Sequence, residues 1–374
     1  MRKFDLALIA GVMLTLLPAY GAETPYTFQE ALDRGAIAIQ ASHPQGETDN
    51  LIKHLPDVDP GIISGFSYFW GGPTQKRLEN AAADAANIRQ QLPRVLLEGL
   101  FTEGVHPGYD ETLHCGGTMG DRRFSVDQIS AGKAQTKTNV WVDLAKPGAV
   151  AFYECVGSAY INMGTSLIRF EAPGLMTKNS INPAAELKGF KQVQNYLHIY
   201  AASKGLSVIW GGDPVLAQHM HMDYVTVPSR FYHTFLQSAL KYQNIISRPG
   251  IGVGYSYALS PLMVSDTVNS VPPGTKVFFN IDNWDSRQDD LRRYMELDAD
   301  NRRFLVQQSV INAHRKGAYF MPDMDGCGGC TPVEVVVDPC ELVLSQKTGT
   351  GTEYNAIRCN DLPSLKTALH YFEP

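Results

Sequence analysis

The feature that most constrains the fold of this chain is a regular alternation between short apolar runs and longer segments with helical spacing. Eight runs have the length and composition of buried strands: Ala36–His43, Ile62–Phe69, Arg94–Thr102, Thr165–Glu171, Leu206–Asp213, Gly252–Ala258, Lys276–Asp282 and Ala318–Asp323. Strands that alternate with helices imply parallel strands joined by right-handed crossovers. The pattern therefore predicts a (β/α)8 barrel that forms one domain over residues 23–374. An open, doubly wound sheet is the rival, but it would call for a glycine-rich phosphate turn after an early strand, which the sequence lacks.

Segments of helical length and period separate most of these runs. They are Thr74–Leu92, Gly148–Met163, Pro183–Ser203, Ser229–Ile246, Asp298–Arg315 and Leu362–Tyr371. The first and sixth connections, Thr48–Leu55 and Pro261–Val271, carry a weaker helical pattern. Pro183 at an early helical position and Lys204-Gly205 at the end are typical boundary signals.

Two segments do not fit the plain repeat. Gly104–Asn139 follows the third run and Gly326–Asp361 follows the eighth, so both are expected at the carboxyl-terminal mouth of the barrel. A long segment of this kind in a compact domain is usually functional. Within the second one, Val333–Val337 and Glu341–Ser345 are typical of a short hairpin, which nearby cysteines would tie.

The amino terminus follows the plan of a secretory signal peptide over residues 1–22. Arg2 and Lys3 precede the apolar run Leu6–Leu17, and small residues then allow cleavage after Gly21 or Ala22. That run is shorter than the roughly 20 residues that a spanning helix needs, and no later segment approaches this length. A secreted or periplasmic protein without stable membrane insertion is expected. A retained anchor is the alternative.

Charge and cysteine content narrow the classes of partner and compartment. The formal net charge of −6, without a basic stripe, argues against nucleic acid and anionic membranes as partners.

Six cysteines, an even number, favour disulfides in an oxidising compartment. Two bridges are expected among Cys327, Cys330, Cys340 and Cys359, and a pairing of Cys115 with Cys155 is a weaker expectation. Cys327-Gly-Gly-Cys330 also permits a zinc or redox interpretation, although no second pair of this spacing follows.

Polar residues mark the carboxyl ends of most predicted strands, where a barrel carries its active site. Strand alternation places Glu98, Arg169, Glu171, Asn280 and Asp282 on the lumen side. Buried carboxylates are costly unless they are paired or used. Glu171, Asp282, Glu98 and Asp213 are therefore the candidate catalytic residues. Glu98 with Arg169 also suits a structural salt bridge, and Asp213 before Pro214 also suits a turn.

Three of the four tryptophans lie at or just beyond strand ends. Trp70, Trp210 and Trp284 are expected to stack on sugar rings at the mouth, although aromatic packing that anchors the loops is the simpler interpretation of each one alone. The predicted substrate contacts at this end also include His43, Arg169 and Asn283. The expected ligand is a carbohydrate, and no cofactor is expected.

Histidines allow a metal interpretation as well. His219 and His221 with Asp223 follow the fifth run, and His43, His106 and His114 lie in other loops. Two histidines at this spacing on a strand would share one face, as a zinc site requires, but Pro214 makes a strand there doubtful. Neither a Gly-x-Ser-x-Gly motif nor a phosphate-binding loop occurs.

With these residues placed, the chain resembles the secreted (β/α)8 glycoside hydrolases and related bacterial barrel proteins. In their large retaining group, the acid/base carboxylate ends the fourth strand and the nucleophile ends the seventh. The resemblance implies that Glu171 is the proton donor and Asp282 the nucleophile or charge-stabilising group. Phe170 stands where that group usually has Asn, and Asp282 where it usually has Glu.

Three functions follow as hypotheses. The first is a glycoside hydrolase that acts on an oligo- or polysaccharide, the second a non-catalytic barrel that binds glycan or a protein partner, and the third a metal-dependent hydrolase.

Overall fold

A computed structural model describes residues 24–39, 52, 55–116, 119–228, 259–280, 299–322, 332–338, 341–348, 351–354 and 357–358. Within this part of the chain, no helix is long and apolar enough to cross a membrane.

Eight parallel strands form a nearly closed barrel. They follow one another around the sheet in chain order: β1 (Ala36–Ala38), β2 (Ile62–Ser64), β3 (Leu96–Phe101), β9 (Leu167–Phe170), β10 (Ile209–Gly212), β11 (Tyr224–Pro228), β12 (Lys276–Asn280) and β13 (Tyr319–Met321). At the seam between the first and last strands, the backbone N–H of Ala38 donates to the carbonyl of Pro322 at 2.9 Å. The barrel predicted from the alternation is confirmed, and the open sheet is wrong.

The sixth barrel strand lies earlier in the chain than the sequence predicted. It is β11, whereas the predicted strand Gly252–Ala258 and the helix Ser229–Ile246 lie outside the described residues. The connection from β10 to β11 spans only residues 213–223 and contains the single-turn helix Pro214–Ala217. Parallel strands usually need a longer crossover. The expectation of a full helix between successive strands therefore misses this strand.

The strands alternate between an inner and an outer layer, as expected for a barrel. Leu96, Leu167, Tyr224 and Phe278 pack together in the lumen. Their chain neighbours belong to the larger core between the strands and the helices, which includes Leu97, Ile168, Phe170, Val225 and Phe279. The lumen direction predicted for the fourth and seventh strands is confirmed. The short helix Phe28–Arg34, which the sequence analysis did not predict, contributes Ala31 and Leu32 to the lumen cluster.

The main helices match their predicted segments closely. They are Gln75–Gln91, Pro147–Asn162, Pro183–Ser203, Pro261–Ser270 and Ala299–His314, with the shorter Pro173–Asn179 after β9. Thr74 and Asn182 cap two of them by accepting backbone N–H groups of the first turn. The predicted helix Leu362–Tyr371 lies outside the described residues.

The segment after β3 is a small β-rich insertion. Strands β4 (Gly104–Val105), β7 (Ser130–Ala134) and β8 (Val140–Val142) form one antiparallel sheet, and β5 (Asp110–Cys115) pairs with β6 (Gly120–Ser125) in a hairpin. The one-turn helix Val126–Ile129 joins the two sheets.

The insertion is anchored at two places. At the mouth, the N–H of His106 donates to the carbonyl of Gly71 at 2.9 Å, just after β2. In the hairpin, a disulfide joins Cys115 to Cys155 in the helix Pro147–Asn162. The insertion thus lies partly at the mouth, as predicted, and partly against the helix layer.

The carboxyl-terminal segment contains an antiparallel sheet. Its strands are β14 (Pro332–Asp338), β15 (Glu341–Thr348), β16 (Gly351–Tyr354) and β17 (Ile357–Arg358), and β14 pairs with β15 in a hairpin. Cys327, Cys330, Cys340 and Cys359 lie outside the described residues, so their two bridges stay predictions.

The disulfide of the insertion leads to a stability prediction. Replacing both Cys115 and Cys155 with serine should lower the free energy of unfolding by about 4 kcal/mol, the chain-entropy value for a sequence separation of 40 residues. Urea unfolding followed by circular dichroism measures the change. A loss below about 1 kcal/mol would show that the disulfide adds little constraint to the unfolded chain.

Candidate functional site

A buried ion pair crosses the lumen beneath the mouth. The Nε of Arg169 on β9 donates to Glu98 Oε1 on β3 at 3.2 Å, and both side chains are almost fully buried. Ser64 Oγ and the N–H of Gly65, which follows β2, donate to the other oxygen of Glu98. The Tyr224 hydroxyl on β11 donates to Oε1 as well.

These contacts decide the role of Glu98. Each of its oxygens accepts two donors, and the residue is 1% exposed, so it has no free surface for a substrate. The catalytic role predicted for Glu98 does not fit this environment, and the structural salt bridge does. Gly211 makes the arrangement possible, because a Cβ there would lie 2.2 Å from Tyr224 Cζ.

Arg169 continues the ion pair to the mouth. Its Nη1 donates at 2.8 Å to Glu171 Oε2, directly after β9, and the Glu171 side chain is 27% exposed. Burial acts against the charge of Arg169, but the neighbouring carboxylates of Glu98 and Glu171 hold its pKa above the ordinary value. The predicted lumen residues Arg169 and Glu171 therefore meet at the carboxyl end of the fourth strand.

A second mouth carboxyl, Glu103, was missed by sequence reasoning. It follows β3 in the insertion, is 1% exposed, and accepts hydrogen bonds from the Tyr68 hydroxyl at 3.0 Å and from Gln135 Nε2 at 2.7 Å. Burial, reinforced by the negative charge of Glu171, raises the pKa of Glu103 to about 7. The available signal was its position just past a strand end, which it shares with Glu171.

Of the three candidate tryptophans, Trp70 lies beside this cluster. Its ring is tilted against Tyr68, with centroids 6.3 Å apart, and it is partly exposed. With the Asn139 amide oriented to satisfy its neighbours, the Asn139 oxygen accepts the Trp70 indole N–H at 3.2 Å.

Trp210, by contrast, belongs to the core. It is 3% exposed and stacks on Phe170 at 5.8 Å, in the layer between the strands and the helices. The predicted sugar contact does not fit this position, because alternation along β10 turns the indole away from the lumen. Trp284 lies outside the described residues, together with His43, Asp282 and Asn283.

Asp213 acts as a backbone clamp in this structure. Its two carboxylate oxygens accept the N–H groups of Leu216 and Gly174, each at 2.8 Å. It therefore caps the helix Pro214–Ala217 and fastens that helix to the first turn of the helix Pro173–Asn179. Burial raises the pKa of Asp213. These contacts support the turn interpretation rather than a catalytic role.

The structure separates the histidines that a metal site would bring together. His219, His221 and Asp223 precede β11 and so lie at the amino-terminal end of the barrel, whereas His106 and His114 belong to the insertion after β3. Asp223 Oδ2 accepts the N–H of Trp210 at 2.7 Å. Among the residues that the structure describes, no three potential ligands are grouped around a metal position.

A buried carboxyl pair joins the segment after β8 to the helix Pro183–Ser203. Asp143, just after β8, and Glu186 both accept the N–H of Ala145, at 3.1 and 3.0 Å. Ser180 Oγ donates to Asp143 at 2.7 Å. Burial, then the adjacent Asp143, raises the pKa of Glu186 to about 8. Burial alone would raise the pKa of Asp143. Hydrogen bonds from Glu186, Ser180 and two backbone N–H groups outweigh burial and keep this pKa below its usual value.

Comparison with known proteins gives matches among solved structures only, since neither a protein-family model nor a curated protein matches the chain. Eubacterium rectale Amy13B is 10% identical, with a TM-score of 0.51, and the match covers 88% of this chain and 75% of that one. The chain resembles barrel glycoside hydrolases. At this identity the likeness shows the fold alone.

Two further matches lie at lower similarity. The cyclic α-maltosyl-(1→6)-maltose hydrolase from Arthrobacter globiformis is 10% identical, with a TM-score of 0.48 and coverage of 93% of this chain and 83% of that one. A GH27 β-L-arabinopyranosidase from Geobacillus stearothermophilus is 10% identical, with a TM-score of 0.44 and coverage of 79% and 72%.

The buried ion pair predicts a large effect on stability. Replacing Arg169 with Met leaves the carboxyl of Glu98 buried without its cation and should lower the free energy of unfolding by about 3–5 kcal/mol. The control is Arg123→Met, which breaks the exposed pair of Arg123 with Asp110 and should cost far less, because solvent screens that pair. Equal losses for the two variants in urea unfolding would contradict this assignment.

The carboxyl pair predicts how stability depends on pH. A pKa raised in the folded state gives stability that is complete below the ordinary value of 4.5 and is lost as the pH rises toward 8 for Glu186 and toward 7 for Glu103. The melting temperature should therefore fall between about pH 5 and pH 8. Glu186→Gln should flatten this slope, whereas the exposed control Glu79→Gln should keep it. An unchanged slope for Glu186→Gln would exclude Glu186 as its source.

Proposed function

We propose that this protein is a glycoside hydrolase that cleaves an oligo- or polysaccharide at the carboxyl-terminal mouth of its barrel. One observation carries the proposal: Glu171, partly exposed at the end of the fourth strand, is held by a buried guanidinium that favours its charged form. Glycoside hydrolysis uses two carboxyl groups with different environments, and Asp282 is proposed below as the second one. The position of Glu171 at the carboxyl end of a barrel strand, where active sites of this fold lie, supports the proposal.

The contact with Arg169 argues for an exchange of the roles expected from the resemblance. A guanidinium within hydrogen-bond distance favours the charged form of a carboxyl group, and a proton donor needs the neutral form. Glu171 is therefore proposed as the nucleophile or charge-stabilising carboxylate. Asp282, two residues beyond the end of β12, is proposed as the proton donor to the leaving oxygen.

The proposed reaction breaks one glycosidic C–O bond. The proton of Asp282 goes to the departing oxygen while Glu171 attacks or stabilises the positive charge that develops at the anomeric carbon. Water then supplies the hydroxyl of the second product, and its other proton returns to Asp282. Trp70 is proposed to stack on a sugar ring beside the carboxyl groups, with Trp284 as a second contact and His43 and Asn283 as polar contacts.

A compartment outside the cytoplasm fits this function. The amino-terminal segment has the plan of a signal peptide, and the disulfide between Cys115 and Cys155 suits an oxidising environment. We propose export with cleavage near residue 22, a single barrel domain thereafter, and no nucleic-acid or membrane partner.

The catalytic roles can be tested separately with two variants. A panel of glycans and their nitrophenyl glycosides first identifies a substrate. Glu171→Gln should reduce kcat by at least about 10²-fold on every substrate, because the charge at the transition state is lost. Asp282→Asn should reduce kcat by about 10²–10⁴-fold on natural glycans but far less on nitrophenyl glycosides, whose leaving group needs no proton.

The control is Glu79→Gln, an exposed carboxyl on the helix Gln75–Gln91 that should leave turnover unchanged. Rescue of Glu171→Gln, rather than Asp282→Asn, by the better leaving group would reverse the two roles. Glycan binding with no turnover in the wild type would favour the non-catalytic barrel. Loss of turnover in a chelator would favour the metal-dependent hydrolase.

A further inference from the structure

The network around Glu103 has no part in the reaction proposed above, although the charge of Glu171 acts on Glu103. One carboxylate oxygen of Glu103 accepts the Tyr68 hydroxyl at 3.0 Å, and the other accepts Gln135 Nε2 at 2.7 Å. At 1% exposure Glu103 cannot touch a substrate. Any influence that it has on the mouth must pass through a neighbour.

Tyr68 is the neighbour that connects Glu103 to Trp70, although it is itself only 7% exposed. Its ring lies against Trp70, the proposed sugar platform, and its hydroxyl is in the field of both Glu103 and Glu171, with Arg169 acting in the opposite direction. Burial and these two carboxylates raise the pKa of Tyr68, so the phenol keeps its proton. Tyr68 is therefore a hydrogen-bond donor whose direction Glu103 can determine.

The direction of that donor depends on the proton of Glu103. A charged carboxylate only accepts hydrogen bonds, so it holds the phenol hydrogen inside the protein. A neutral carboxyl can donate its own proton to the phenol oxygen, and the phenol hydrogen is then free to turn to another acceptor. Burial and the charge of Glu171 bring this change to about pH 7.

The insertion after β3 supplies the other half of the network. Gln135 follows β7, and its N–H donates to the carbonyl of Asn139 at 2.9 Å, which fixes the turn. Its amide packs on Gly104, where a Cβ would come within 1.8 Å of Gln135 Oε1. Glycine at this position therefore lets the Gln135 side chain reach Glu103.

We propose that Glu103 is a positioning residue that acts through Tyr68, deciding whether the phenol hydrogen is held inside the protein or offered to a sugar oxygen beside Glu171. This inference rests on the proposed function in one respect, namely that a carbohydrate occupies the mouth. The titratable groups that face Glu103 from the described elements are Tyr68, Glu171 with Arg169, and Tyr153 of the helix Pro147–Asn162. Tyr153 donates to the carbonyl of Thr102, next to Glu103.

The first test is the pH profile of kcat/KM on the hydrolysed glycan. Wild-type activity should fall about tenfold between pH 6 and pH 8, as expected for one group that titrates near 7. Glu103→Gln carries a permanent donor in place of the neutral acid, so it should keep wild-type activity at pH 6 within about threefold and stay flat to pH 8. Tyr68→Phe should be reduced at pH 6 and should also be flat.

Gln135→Leu serves as a graded variant. It removes a donor that favours the charged carboxylate, so the alkaline limb should move to higher pH with little loss of activity at pH 6. The control Glu79→Gln should reproduce the wild-type profile. An alkaline limb in Glu103→Gln like that of the wild type would overturn the inference. Complete loss of turnover in a Glu103→Gln protein that is folded by circular dichroism would overturn it as well.

The second test needs no substrate. In protein labelled with 13C at the glutamate carboxyl carbons, one signal should titrate near pH 7, disappear in Glu103→Gln, and titrate at lower pH in Glu171→Gln, because the neighbouring charge is gone. Absence of this signal overturns the inference whatever the enzyme does. Its presence in a protein that hydrolyses no glycan overturns the proposed function and leaves the link between Glu103 and Glu171 in place.

Discussion

Arg169 is the residue on which the rest of this structure depends. Its guanidinium lies in the lumen of the barrel, where a charge is expensive, and it bonds to a carboxylate below and another above. The lower carboxylate, Glu98, also collects donors from β2 and β11 and from the residue after β2. Four strands are thereby held in one register by side chains. An apolar core alone would specify that alignment less sharply.

The same sharing of one cation sets the electrostatics of the mouth. Glu98 and Glu171 together carry two negative charges against the one positive charge of Arg169. A third carboxylate nearby would add repulsion in a place with little water. Burial, reinforced by the charge of Glu171, therefore raises the pKa of Glu103 to about 7, and burial with the charges of Glu103 and Glu171 keeps Tyr68 neutral. The protonation states at the mouth thus depend on the whole cluster and cannot be predicted from any one residue alone.

Sequence reasoning predicted the structure well where the periodicity of apolar residues determines it. The period of two in the fourth strand places Arg169 in the lumen, and the helices follow from their spacing and caps. It was weak where contacts between residues distant in sequence determine the structure. The barrel strand that begins at Tyr224 was missed, because only a single-turn helix precedes it. Trp210 lies between glycine and isoleucine, and only the register of β10 shows that it faces the helices. Glu103 becomes notable only through Tyr68 and Gln135, distant in sequence but adjacent in space.

The seam of the barrel imposes an order of assembly on the growing chain. The bond between Ala38 and Pro322 cannot form until nearly the whole barrel has been synthesised, so β1 must wait as an unpaired edge on one side. The bridge between Cys115 and Cys155, in contrast, needs only the first half of the chain. An early covalent loop between the insertion and the helix Pro147–Asn162 would keep that half compact while its final neighbour is still missing. This bridge is thus a safeguard against edge-to-edge aggregation while the barrel is still open.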